Sequence, residues 1–366
     1  MDFNFKFPTL DLQILIHESN TSNGKEALRK YLINNSMLKT YQSLVIKNII
    51  QDNKQDIKLI KETKQKKIDE LMEMKDKDPE NSSYVKSIDI QIAELYAQFM
   101  DTEKALEMLK NILFDESSLS LQMDIYLCRI RMGMLIKDKK LVEDNIHLAT
   151  ECCELGCDWD RRNKFKIHKA IYNLKQGIFS ETAQLFSETL PSFETNEAVD
   201  FKHAVEYFIF SGLLSFERSD LKKLLLECSE VLEIGSSEGV NLIRSMYECN
   251  YYEYLPNLCK YIESVKNDFY LQNFLNFFCR EMKIKMYKQL LNSYQSLDLK
   301  NMADVFGISS EYLEDDLNDF IVERRINCKI DKVSYTIIIN EEEYDGYSEI
   351  IKEGASLLKI IHNNIN

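Results

Sequence analysis

The feature that most limits what this chain can fold into is its shortage of helix breakers, with 4 Pro and 10 Gly in 366 residues. Inside a helix, proline costs about 3 kcal/mol and glycine about 1 kcal/mol relative to alanine. A sequence that almost avoids both, and is rich in Leu, Ile, Lys and Glu, is expected to be nearly all α. Apolar residues make up 45% of the chain, enough to build a large core and to exclude wholesale disorder. Its length suits two or three domains or one extended repeat array.

The bulk numbers also exclude function classes. With 46 basic and 60 acidic side chains the formal charge is −14, a body that repels phosphate backbones unless a local basic stripe overrides it. The longest apolar runs, such as Ile337-Ile338-Ile339, fall far short of the roughly 20 residues that span a bilayer. The opening "MDFNFKFPTL" carries an acid at position 2 and no apolar core, so no signal peptide is expected. Nine cysteines in such a chain are expected to stay reduced. Cys152, Cys153 and Cys157, with His147 and His168, invite a zinc reading. Zinc sites pair their ligands at short spacing and match one pair with a second. Here no second pair follows, so the thiols are read as buried or idle.

Along the chain the apolar spacing is helical. The first 45 residues hold amphipathic stretches around Leu10–Leu15 and Ala27–Leu32. A charged helix with a thin stripe (Ile50, Ile57, Ile60, Lys64, Ile68, Leu71, Met72) is expected over Lys47–Lys77, lying along one line on the body. Helix pairs follow. In 88–113, Ala93, Tyr96, Ala105 and Leu109 fall at offsets resembling a tetratricopeptide repeat. In 161–190 the scheme recurs with Ala170, Gly177, Phe179, Ala183, Phe186 and Leu190. Gln122–Lys137 and Leu141–Leu155 make a pair between them. The expected architecture is therefore a mostly α, right-handed helix-pair solenoid, and such arrays bind proteins on their faces.

After Pro191 the helices turn aromatic. Val205–Phe216 reads as a helix buried on most sides, and Leu224–Leu232, Val240–Glu248, Leu255–Val265 and Tyr270–Ser293 continue the style. The period then changes to that of strands. "RINCKIDKVSYTIII" (325–339) gives two strands, Ile326–Ile330 and Ser334–Ile339, around a turn at Asp331-Lys332. Helices near Met282–Ser296, Lys300–Phe306 and Ser310–Val322 precede them, which is the order of a winged helix. Ser309 or Ser310 is suited to cap the third helix. Finally Tyr347–Asn363 sets Ile350, Gly354, Leu357 and Ile361 at near-heptad spacing, a helix in want of partner helices.

"NMADVFGISSEYLEDDLNDFI" (301–321) has the outline of a helix-turn-helix, whose second helix normally enters the DNA major groove. That helix carries Glu311, Glu314, Asp315, Asp316 and Asp319, and Arg324 and Arg325 lie past its end. Five carboxylates against a polyanion exclude groove docking, which leaves packing or protein contact as the motif's task.

No catalytic constellation accompanies these elements. The five histidines are scattered, and neither a nucleophile elbow nor a phosphate-binding loop occurs. "WDRRN" is the one stretch that looks like a site. Arg161 and Arg162 either clamp a partner carboxylate or bridge neighbouring helices while Trp159 packs; the bridging reading is favoured. No metal, cofactor or catalytic residue is assigned.

Four long stretches carry a resemblance: "DWDRRNKFKIHKAIY" (158–172), "SMYECNYYEYLPNL" (245–258), "REMKIKMYKQLLNSYQSLDLKNMADVFGI" (280–308) and "INCKIDKV" (326–333), with "FKFPTLDL" near the start. On these the chain resembles the PCI-domain family, and within it the subunits of the proteasome lid. Looser kinship reaches the COP9 signalosome and translation initiation factor three. The resemblance runs over residues 85–365 and loosens at 334–348. It implies a non-catalytic scaffold in the cytoplasm and nucleus, part of a hetero-oligomer with other lid PCI subunits and the ATPase ring, touching neither nucleic acid nor membrane. The implied layout is an N-terminal helical region (1–85), tetratricopeptide-like repeats (86–190), a PCI domain (191–340, its winged helix from 282) and a bundle helix (347–366). The winged-helix edge (Ile326, Cys328, Ile330, Val333, Tyr335, Ile337) and the last helix (Ile350, Leu357, Leu358, Ile361) would meet partners.

Overall fold

In the computed structural model, residues 5–19, 22–77, 81–114, 118–193, 197–339 and Gly354 are described. They pack as two units: Met1–Ile243 with Ser264–Leu275, and Arg244–Glu263 with Asn276–Asn366.

The first unit opens with α1 (Asp11–Glu18), α2 (Ser22–Asn34) and α3 (Leu38–Ile46), whose apolar faces close on one another through Leu12, Leu28, Leu32, Met37, Tyr41 and Leu44. The charged helix α4 (Lys54–Lys77) begins later than its composition suggests. Asn48 takes a left-handed backbone (φ 57°) and turns the chain, so residues 47–53 form a loop that buries Ile50. Beyond it the narrow stripe holds as far as Leu71, and Met72 is exposed. Ile60 is buried, and Lys64, Ile68 and Leu71 lie half-buried in line with it. Buried acids pin this region. Asp56 accepts from Arg29 at 2.6 Å and from the Tyr41 hydroxyl at 3.2 Å, and Asp101 joins Lys39 (2.7 Å) and Lys64 (3.2 Å).

Helix pairs follow as α5 (Ser82–Gln98) with α6 (Thr102–Phe114), α7 (Leu119–Ile136) with α8 (Lys139–Glu154), and α9 (Trp159–Gln176) with α10 (Phe179–Thr189). Small residues set the close approaches. Ala93, Ala105 and Leu109 bury together with Tyr96 packed against them. At Gly133 an added Cβ would lie 2.7 Å from Val142 Cγ2, so α7 and α8 meet where only glycine fits. Gly177 ends α9 at φ 78° and frees its N–H to close on Leu174.

Helix α11 (Phe201–Ser215) is buried from Ala204 through Leu213 except at Glu206, as its nearly unbroken apolar run requires. The helix expected over Leu224–Leu232 is instead broken. α12 (Arg218–Leu221) runs into one π-helical turn (Lys222–Leu226), and α13 (Ser229–Ile234) starts afresh. α14 (Ser237–Tyr247) and α15 (Tyr251–Val265) follow, and then α16 (Leu275–Leu291).

The second unit holds a three-stranded sheet with α17 (Leu299–Phe306) and α18 (Ser310–Val322). Strand order is β1 (Ser296–Asp298), β3 (Thr336–Ile339), β2 (Cys328–Asp331), all antiparallel. β1 replaces the end of the helix expected to run to Ser296. The winged-helix order is thus present, with an added strand that makes β3 central. Gly307 closes α17 at φ 65°, beside the Tyr252 ring, and Ser309 caps α18 by accepting from the Tyr312 N–H.

Candidate protein-interaction site

The sheet of the second unit is where exposed backbone and exposed apolar side chains coincide. β3 is paired on both sides, whereas β2 is paired on one, so among the described residues β2 leaves one row of backbone groups open. The hairpin is fastened to α18. The Lys332 ammonium lies 2.9 Å from Glu314, and Asp331 accepts from the Val333 N–H (2.9 Å) and the Ser334 hydroxyl (2.8 Å). On the far side of α18, Asp316 takes Lys283 at 2.8 Å and the Tyr287 hydroxyl at 3.2 Å. Two of its five acids therefore serve packing, and Glu311, Asp315 and Asp319 stay exposed.

The six residues read from sequence as an edge divide by face. Ile326, Cys328 and Ile337 are buried, and Ile330 is half-buried; their side chains belong to the module's own core. Val333 (93% exposed) and Tyr335 (53%) are the two that face outward. Residues two apart on a strand share a face, so Ile326, Cys328 and Ile330 turn into the core together and offer a partner no side chains. Ile350, Leu357, Leu358 and Ile361 lie outside the described residues.

At the start of α9, Arg161 bridges rather than reaches out. Its Nε lies 3.0 Å from both oxygens of Asp124 on α7, and its Nη1 donates to Asp158 at 2.7 Å. Arg162 donates to the Cys153 carbonyl at the end of α8 (3.2 Å). Trp159 does not pack as expected: it is 60% exposed, while Arg161 and Arg162 of the same turn face the neighbouring helices. Burial pushes Asp124 up to about 6 in spite of Arg161.

The most deeply engaged polar group was invisible as a site in the sequence. Arg131, 1% exposed on α7, donates to the carbonyls of Phe5 (2.6 Å) and Pro8 (2.8 Å). Its third nitrogen lies 3.1 Å from His168 Nε2. His168 Nδ1 sits 2.7 Å from the Lys164 carbonyl, which can only accept, so the proton is on Nδ1 and Nε2 receives from Arg131. Burial, and then the adjoining guanidinium, hold His168 well below the ordinary imidazole range. Lys6 N–H to Glu94 (3.0 Å), Leu10 N–H to the Glu197 carbonyl (3.1 Å) and Gln13 to the Met134 carbonyl (2.5 Å) complete the seat of the N-terminal segment. The available signal was an arginine inside "YLCRIRMGML", a stretch apolar on every helical face, where an unpaired charge would be prohibitive.

Comparison with known proteins bears on both units. The model of a family described as 26S proteasome subunit RPN7 matches residues 53–224, and a PCI domain model matches residues 258–341. The 26S proteasome non-ATPase regulatory subunit 6 of Dictyostelium discoideum is 33% identical over 270 residues, which is 73% of this chain and 71% of that protein. The chain belongs to the RPN7 family. The 26S proteasome regulatory subunit RPN7 of Saccharomyces cerevisiae is 32% identical over 305 residues, 81% of this chain and 71% of its own length. COP9 signalosome complex subunit 1 of Arabidopsis thaliana matches less well, at 24% over 173 residues, 46% of this chain.

The RPN7-matched stretch contains Arg131, His168 and the Arg161 bridge, and the PCI-matched stretch contains the open strand β2. The cysteine cluster of this RPN7-family chain lies at the end of α8. Cys152 and Cys157 are buried, the first donating to the Leu119 carbonyl at 3.4 Å, and burial pushes the Cys157 thiol up to about 12. His168 is committed to Arg131, and His147 pairs with Glu151 on the exposed face of α8. Among the described residues no three metal-binding groups converge, and no helix is long and apolar enough to cross a membrane.

Proposed function

We propose that this chain is a non-catalytic scaffold subunit of the lid of the 26S proteasome's regulatory particle, working in the cytoplasm and nucleus. It would support degradation of ubiquitinated proteins by holding neighbouring PCI subunits and contacting the ATPase ring. The observation that carries the reading is the open edge of β2 in a PCI-matching module, beside the exposed Val333 and Tyr335. An unpaired strand edge gives a neighbour's strand a row of hydrogen bonds without further preparation. The helix expected at Tyr347–Asn363 would add its Ile/Leu stripe to a bundle.

Affinity purification of the tagged chain from its own cells tests the assignment. Mass spectrometry should recover other lid subunits and the ATPases; recovery of signalosome subunits alone overturns it. Leu357→Asp with Ile361→Asp should leave a folded monomer that no longer enters the complex. Normal incorporation would remove the terminal helix from the scheme. Val333→Asp with Tyr335→Asp tests the edge in the same assay, since both residues are exposed and their loss leaves the core intact.

A further inference from the structure

Past the end of α18 the chain makes a turn whose chemistry runs against its sequence. The Arg324 N–H donates to the Ile321 carbonyl (2.9 Å) and the Arg325 N–H to the Phe320 carbonyl (2.8 Å), a Schellman closure. Arg324 holds the left-handed position of that closure (φ 57°), where glycine sits without penalty and an L side chain is strained. This exposed arginine lines a cleft of about 530 Å³ between the end of α16 and the start of β2.

That cleft is basic in an acidic molecule. Lys288, Arg324 and Arg325 line it with the amides of Asn292 and Asn327, and among the described residues no carboxylate does. Arg325 is matched by Glu281, with nitrogens 2.8 and 2.5 Å from its two oxygens. Lys288 and Arg324 are exposed and form no ion pair among the described residues. Cys328, the first residue of β2, stands in the cleft wall, so the open strand edge begins where the two cations sit.

We infer that this cleft binds an acidic, extended polypeptide segment of a partner protein, whose carboxylates meet Lys288 and Arg324. The inference rests on the edge-association reading for the partner's extended backbone, and on the cleft alone for its charge. A nucleic acid suits the site less well. Two uncompensated cations match two or three carboxylates, whereas a longer phosphate chain would be repelled by a molecule of formal charge −14.

The test uses the full chain and dye-labelled peptides of about ten residues, long enough to cover a short strand and the cleft. One peptide alternates Glu with Thr and Val; a second replaces each Glu with Gln; a single-stranded oligouridine is the third probe. Fluorescence anisotropy at low salt should show the Glu peptide bound. Affinity should fall about tenfold for the Gln peptide, and equally for the chain carrying Arg324→Gly and Lys288→Gln, two exposed pairs being lost in each case. Arg324→Gly relieves a left-handed arginine, so its thermal midpoint should hold and loss of binding cannot be ascribed to unfolding. Equal binding of Glu and Gln peptides would overturn the charge recognition while leaving edge association standing. Failure of both peptides, or unchanged binding by the double variant, would overturn the cleft as the site. Tighter binding of oligouridine than of the Glu peptide would overturn the choice of partner. The edge reading is judged separately, by incorporation of the Val333 and Tyr335 variant into the complex.

Discussion

Replacing Arg131 with methionine should release the N-terminal segment from the helical body. The side chain is fully enclosed and its guanidinium satisfies two main-chain carbonyls, at 2.6 and 2.8 Å, in residues that no regular helix holds. A hydrogen bond from a charged donor contributes about 1.5–3 kcal/mol, so two contribute about 3–6 kcal/mol. Methionine fills similar volume and removes the cost of burying a cation, which offsets part of that sum. A net loss of about 3 kcal/mol remains, equivalent to about a hundredfold rise in the opening of the segment. Hydrogen exchange followed by mass spectrometry reads this directly. The amides of Lys6 and Leu10, which donate to Glu94 and to the Glu197 carbonyl, should exchange about a hundredfold faster, while those in the middle of α11 should be little changed. Arg131→Lys, which keeps the charge but not the fork, should fall between. If Arg131→Met left Lys6 and Leu10 as protected as in the parent chain, the guanidinium would not be the anchor, and apolar burial of Phe5 and Leu10 would have to hold the segment alone.

The same cluster gives a pH dependence. His168 is held neutral in the folded chain below its ordinary range, so between that lowered value and about 6.5 the unfolded chain binds the extra proton. Its contribution is therefore complete above about pH 6.5 and is lost as pH falls, by at most about 1.4 kcal/mol per pH unit. Asp124, raised to about 6, has the opposite sign and loses stability as pH rises from its unfolded value through 6. Comparing urea unfolding of the parent and His168→Gln at each pH cancels Asp124; a difference that does not narrow below pH 6.5 would refute the assignment. Gly133→Ala should cost about 1–3 kcal/mol in the same assay, because the new methyl meets Val142 Cγ2 at 2.7 Å across the α7–α8 contact.

Much of the helical layout is local information. α18 starts and stops where Ser309 and its apolar spacing place it, Gly307 breaks the pair of helices where a left-handed residue is needed, and the small residues of α5, α6, α9 and α10 mark the close packing. Each follows from residues within a few turns of one another, where periodicity and capping act. The acids of α18 likewise exclude groove docking on charge alone. The chain's own residues also carried the family, through motifs too long to arise from composition.

Other features exist only because distant segments meet. β1 is three residues long, too short to show a period, and is a strand because β3 offers it Ile337 and Ile338 as partners from forty residues away along the chain. Asn48 and the π-helical turn after α12 break helices whose apolar pattern runs on unbroken, since the pattern records what is buried and not how the chain gets there. Trp159 is exposed although its turn is bonded to α7 and α8 through Arg161 and Arg162, and hydrophobicity alone could not say so. Arg131 and Phe5 are joined across more than a hundred residues, and Arg324 gains its meaning from Lys288 on another helix. Local sequence determines where a helix can form and which of its faces is apolar. Which charges end in the interior, which strand edge stays open and which cations share a cleft are set by contacts between segments, and those were decided only when the chain folded.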